Sequence, residues 1–134
     1  MKKKLAMIMA PALSAVAIAV AGAGPSSASD ADVMAYNCQD NEVCFYQHAN
    51  YTGSVFVPNE MKAGKPVLDF AGRTFTNGAS ANNAVSSIRN MTGWKVCFYE
   101  APRMQNYYGS VPLDDQLDFG NRYANDAISS ASYC

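Results

Sequence analysis

Histidine is nearly absent from these 134 residues: His48 is the only one, and no two cysteines form a C-x-x-C pair. Zinc, which is held by His and Cys, therefore finds no donor set in the sequence. A histidine-based catalytic pair is missing as well, because a general base needs an orienting partner. Charge is sparse, with 16% Asp, Glu, Lys and Arg, and the cations are scattered, so no basic patch offers itself to nucleic acid. Beyond about residue 23 there is no apolar run of membrane-spanning length. No long window carries a 3.6-residue apolar period either, so little helix is expected. His48 reads as a solvent-facing hairpin residue, and Asp114, Asp115 and Asp118, which follow Pro112, read as a solvated loop. An enzyme is not expected.

What is present begins with Lys2, Lys3 and Lys4 ahead of an apolar run from Leu5 to about Ala23, with small residues Ser26-Ser27-Ala28 behind it. This is the pattern of a cleaved signal peptide, residues 1–28, and implies a secreted, extracellular protein with no membrane attachment after cleavage. Residues 29–37 then form a short mature N-terminal segment, and 38–134 one domain. Cleavage removes three cations and no acid, leaving seven cations against eleven acids, a formal charge of about −4. Four cysteines in a small exported chain read as two disulfides. Three pairings can be drawn. The short spacing of Cys38 and Cys44 favours a small loop there, which leaves Cys97 for Cys134.

The body of the chain repeats itself. Val43-Cys44-Phe45-Tyr46 returns as Val96-Cys97-Phe98-Tyr99, and Leu68-Asp69-Phe70 as Leu117-Asp118-Phe119. Arg73 is answered by Arg122. Tyr51-Thr52-Gly53-Ser54-Val55 is matched to Tyr107-Tyr108-Gly109-Ser110-Val111, which makes the second corner longer by an insertion at 100–106. Short aromatic or β-branched runs bounded by Gly, Asn, Asp and Pro read as strands. Gly53 and Gly109 are expected at tight corners closed to residues with a Cβ, and Trp94 in the core or at the seam between copies. The fold class is all-β, a duplicated antiparallel sandwich.

Both copies reach one polar hexapeptide, Asn82-Asn83-Ala84-Val85-Ser86-Ser87 and Asn125-Asp126-Ala127-Ile128-Ser129-Ser130. Every donor in it is oxygen, the preference of calcium. Asp126 is its single carboxylate, so up to two weak and unequal Ca2+ sites are expected, with affinities on the order of 10⁻⁵ to 10⁻³ M. Asx turns that close a hairpin explain part of the same pattern. Ser87 and Ser130, next to the following strand, read as the structural hydroxyls.

The spacing Tyr46-x4-Tyr51-x-Gly53 followed by this hexapeptide resembles bacterial βγ-crystallin-type Greek-key proteins. The resemblance covers about residues 38–134, with Greek keys at about 38–92 and 93–134. It implies calcium sites assembled across the two copies, with ligands from Ser86 and Ser129, carbonyls near Ala84 and Ala127, and side chains among Asn82, Asn83, Asn125 and Asp126. Carbonyls near Gln47 and Glu100 would add to them. Within that group the signal peptide, the Cys-x5-Cys start and the Val-Cys-Phe-Tyr opening are similar to the secreted Streptomyces metalloproteinase-inhibitor family. That similarity implies a monomeric peptidase inhibitor acting on a secreted metalloproteinase. Two loops could meet such a partner: 58–65, read as a hinge-like connector, and 100–106, with Arg103 and Met104 at its tip. A secreted toxin-like or cell-surface-binding module stabilised by calcium is the alternative.

Overall fold

The computed structural model describes residues 35–120 and 126–134. The signal peptide, residues 29–34, Arg122 and Asn125 lie outside them. Seven strands, a 3-10 turn at Ala49–Tyr51 and one short α-helix follow among these residues, the strands and α-helix in the order β1 Val43–Tyr46, β2 Val55–Phe56, α1 Asn59–Lys62, β3 Ser87–Asn90, β4 Val96–Ala101, β5 Gln105–Val111, β6 Asp115–Asp118 and β7 Ser130–Tyr133. They make two antiparallel sheets, β2-β1-β3-β6 and β5-β4-β7. Alternation along β1 sends Val43 and Phe45 into the main core while Cys44 and Tyr46 join a smaller cluster with Cys38 and Val55. The main core takes Phe45 and Ile88 from one sheet and Val96, Phe98, Val111 and Ala131 from the other, so both sheets close on one interior.

The two copies exchange a segment. β6 belongs to copy two yet pairs with β3 of copy one, with Leu117 opposite Ile88. The equivalent stretch of copy one crosses the other way. Val67 and Ala131 exchange backbone bonds of 2.9 and 3.0 Å, and Phe70 N–H donates to Ser129 O at 2.8 Å, as Phe119 N–H donates to Ser86 O at 3.0 Å. The exchanged segment of each copy carries one phenylalanine, Phe70 or Phe119, into a ring cluster. Phe45, Phe56 and Phe70 form one, with centroids 5.2–6.0 Å apart, and Phe98, Tyr108 and Phe119 the other. A fully buried phenylalanine contributes about 1.5–3 kcal/mol over an exposed one, so these clusters hold much of the fold. Disulfides join Cys38 to Cys44 and Cys97 to Cys134, the pairing favoured by the spacing.

Several expectations are corrected. The supposed connector 58–65 contains α1, which docks by burying Met61. Asp115 and Asp118 lie in β6 rather than a solvated loop, because pairing with β3 satisfies that backbone. Trp94 is 71% exposed: the turn it occupies is fixed through its backbone and leaves the indole outside. His48 is half-buried against Gly53. Gly53 does adopt a left-handed φ of 74°. Gly109, in contrast, lies inside β5 opposite Phe98, whose ring atoms stand 3.0 Å from where a Cβ would be. Its lack of a side chain makes room for that ring, not for a corner.

Candidate functional site

The two hexapeptides meet. Asn83 and Asp126 hold equivalent left-handed positions, φ 53° and 63°, a conformation that Asn and Asp tolerate better than other residues with a Cβ. Asn83 N–H donates to Ile128 O at 3.0 Å and Asp126 N–H to Val85 O at 3.2 Å, so each loop braces the other. Across this contact Ser129 Oγ donates to Asn83 Oδ1 at 2.8 Å, and Ser86 Oγ lies 3.5 Å from Asp126 Oδ1. Ser86 Oγ also donates to Gln47 O at 2.8 Å. Each pair takes its serine from one copy and its amide or carboxylate from the other. Ala84 and Ala127 are half-buried at matching positions behind the exposed Asn83 and Asp126. Asn82 Oδ1 is buried without a hydrogen-bond partner among the described residues. An unpaired buried acceptor costs about 1–3 kcal/mol, which a cation could relieve.

The second serine of each loop holds a hairpin. Ser87 Oγ donates to His48 O at 2.7 Å and accepts the Tyr51 N–H at 3.0 Å. Ser130 Oγ donates to Ala101 O at 2.7 Å and accepts the Met104 N–H at 3.1 Å. Met104, not Tyr107, is therefore the counterpart of Tyr51, and the second corner has no insertion. The same reading pairs Asn50 and Tyr51 (φ 56° and 59°) with Arg103 and Met104 (φ 59° and 61°), and Gly53 with Asn106 (φ 56°). The signal was present in the sequence, since these pairs keep the offset that relates Cys44 to Cys97.

The tips differ in what they present. Tyr51 lies edge-on to Tyr46 and under the Arg89 guanidinium, 4.6 Å from its ring centre. Arg103 and Met104 point into solvent, with exposed Leu68 and Tyr107 as further apolar surface. Their backbone is nonetheless pinned, for Arg103 N–H donates to Leu68 O at 2.6 Å beside the Ser130 bond. The other loop foreseen for a partner is occupied with the fold itself, since Glu60 of α1 is ion-paired with Arg73.

Cys38, Glu42 and Cys44 also stand close together, but both sulfurs are spent in one disulfide and can offer no metal a thiolate. Glu42 is structural. Its buried carboxylate accepts the Gln39 N–H at 3.0 Å and the Tyr36 hydroxyl at 2.9 Å, and pairs with Lys62 at 2.6 Å. Burial pushes the carboxyl up, but Lys62 and the two hydrogen bonds together outweigh it and hold it below its ordinary 4.5. The same contact raises Lys62.

The family model described as peptidase inhibitor family I36 matches residues 31–111, more than half of the chain. A comparison with curated proteins gives no match. Among solved structures, one described as the evolution of the eye lens βγ-crystallin domain fold aligns with a TM-score of 0.59 at 25% identity, covering 74% of this chain and 90% of that one. A βγ-crystallin domain from Clostridium beijerinckii aligns at 0.51 and 22%, covering 69% and 95%. The N-terminal domain of protein S aligns at 0.50 and 14%, covering 69% and 94%. The architecture is thus that of a βγ-crystallin domain.

Proposed function

The chain belongs to peptidase inhibitor family I36, and on that premise we propose that it is a secreted inhibitor of a metallopeptidase, monomeric and stapled by calcium between its two copies. The hairpin tip Arg103–Met104 carries the inhibitor reading. It is exposed, yet its backbone is bound at Leu68 O and Ser130 Oγ. A loop already held in one conformation loses little entropy on entering a cleft, and that is how a small inhibitor gains affinity. Arg103 and Met104 are the side chains we assign to the peptidase contact.

Calcium is supported by the donor set. Ser86, Asp126 and the Gln47 carbonyl would hold one ion, and Ser129 with Asn83 the other. Carbonyls of Ala84 and Ala127, the carbonyl of Glu100, and the side chains of Asn82 and Asn125 are the remaining candidates. When bound, the ion would supply positive charge among oxygen donors and tie one copy to the other. Export is supported by Lys2–Lys4, the apolar run after them and the two disulfides.

Steady-state assays of a thermolysin-like and a subtilisin-like peptidase with the purified protein test the reading. Micromolar protein should slow the metallopeptidase, and Met104→Ala or Arg103→Ala should raise the inhibition constant about tenfold, as removal of an interface anchor does. Unchanged rates at that concentration overturn the inhibitor. Undiminished inhibition by both variants moves the contact elsewhere.

A further inference from the structure

Trp94 is the only tryptophan of the chain and, at 71%, the most exposed large apolar side chain among the described residues. Its backbone is held at several points. Asn90, fully buried, donates Nδ2 to Trp94 O at 2.7 Å and to Pro112 O at 2.7 Å, and its Oδ1 accepts from the N–H and hydroxyl of buried Thr92. Trp94 N–H returns to Thr92 Oγ1 at 3.3 Å. A buried polar network thus holds in place a side chain that contributes almost nothing to the core.

Beside the indole lies an open cleft of about 400 Å³. Its other walls come from Asn41, Lys62, Gly64, Thr92 and Tyr133, above buried Met61. The chemistry of these walls narrows the ligand. Lys62 is their one charged group, and Glu42 neutralises it at 2.6 Å, so neither a phosphate nor a carboxylate finds a free cation. Among the described residues no carboxylate lines the cleft to hold a metal ion. The Asn41 side-chain amide makes no bond to another described residue and keeps its donors and acceptor. Tyr133 Oη donates to Met61 O at 2.9 Å and also meets the Thr92 side chain. No described residue stands within 4 Å of the Cβ position at Gly64, so a ligand can approach that backbone closely.

A flat aromatic face beside neutral hydrogen-bonding groups, in an open cleft of this volume, matches a pyranose ring, which has one face of C–H groups and an equator of hydroxyls. We propose that the Trp94 cleft is a binding site for a neutral oligosaccharide, with the indole as stacking platform and Asn41 as the group that orients the ring. The site is separate from the Arg103–Met104 tip and the serine loops, and it does not depend on the inhibitor reading.

With no second tryptophan, emission reports on Trp94 alone. Chitotriose, cellotriose and maltotriose are titrated into the full protein, and amide shifts are followed by NMR in parallel. At least one should give a saturable emission change at millimolar concentration, in the range of a weak single-site ligand, with shifts at Gly64 and Thr92. Asn41→Ala should weaken binding at least about threefold, the loss of one hydrogen bond. Trp94→Ala should abolish the amide shifts while the melting temperature stays as it was. The proposal is overturned if no sugar gives saturation by about 10 mM, where binding free energy is below about 3 kcal/mol. It is equally overturned if the shifts survive Trp94→Ala, or if emission depends on protein concentration without sugar, which would make the indole a contact between two copies.

Discussion

Ser86 Oγ stands 3.5 Å from Asp126 Oδ1 across the two copies of the repeat, while the matching pair, Ser129 and Asn83, closes to 2.8 Å with no carboxylate in it. The approximate symmetry of the fold is thus broken in charge at the place where a cation would sit. With a Kd on the order of 10⁻⁴ M, 1 mM calcium would add about 1.4 kcal/mol and raise Tm by about 5–10 °C over chelated protein. Asp126→Asn should remove more of that rise than Asn83→Ala, because it removes the only carboxylate. Coincident melts with chelator and with calcium would sink the calcium proposal.

Ser87 and Ser130 make the same two bonds in different hairpins, which allows a controlled comparison. Either serine changed to Ala should cost about 1 kcal/mol, since a half-buried carbonyl and an N–H lose their hydrogen-bond partner. Only Ser130→Ala should also speed hydrogen exchange at the Met104 amide and weaken peptidase inhibition. Equal inhibition by the two variants would separate the tip from the inhibitory contact.

Gly53 carries two constraints that a double variant can separate. Its φ of 74° disfavours any residue with a Cβ, and a Cβ there would lie 2.4 Å from His48 Cδ2. Gly53→Ala should therefore cost more than the roughly 1–2 kcal/mol of the left-handed backbone alone. Adding His48→Ala should relieve the clash and leave the backbone part, as read from urea midpoints. Full recovery in the double variant would mean that the φ is relaxed rather than strained.

Glu42 predicts the shape of the acid limb. Its folded pKa lies below 4.5, so its contribution is complete above that value and is lost as pH falls below it, through the folded pKa. Glu42→Gln should be less stable than the parent by about 1.5–3 kcal/mol at neutral pH, the value of hydrogen bonds to a charged group. The gap should narrow as the solution is acidified below pH 4.5. Denaturant titrations at a series of pH values measure this, and a constant gap would deny the carboxylate its role.

What could be read ahead of the structure was the part encoded in local pattern. Val43-Cys44-Phe45-Tyr46 and its copy announce strands, and the oxygen-rich loops announce a shared turn. Matching by residue identity fails at the second corner, because Tyr107 and Gly109 imitate Tyr51 and Gly53 in letters. Backbone conformation is what the corner selects, and Asn106 supplies the left-handed residue that Gly53 supplies in copy one. The register irregularity between Phe98 and Tyr99 then lets Tyr108 take the ring position of Phe56. Trp94 escapes the expectation of burial because apolarity predicts burial only on average. The crossing of β6 into the first sheet is a long-range pairing, and no short window of sequence records it.

That crossing also sets when the protein can fold. The first sheet is incomplete until Asp118 arrives, and the second until Tyr133 does, since β7 is the strand against which Val67 pairs. A chain made from its N-terminus onward therefore cannot finish one half while the other is being synthesised. Completion is a single late event, because each half takes a segment from the other.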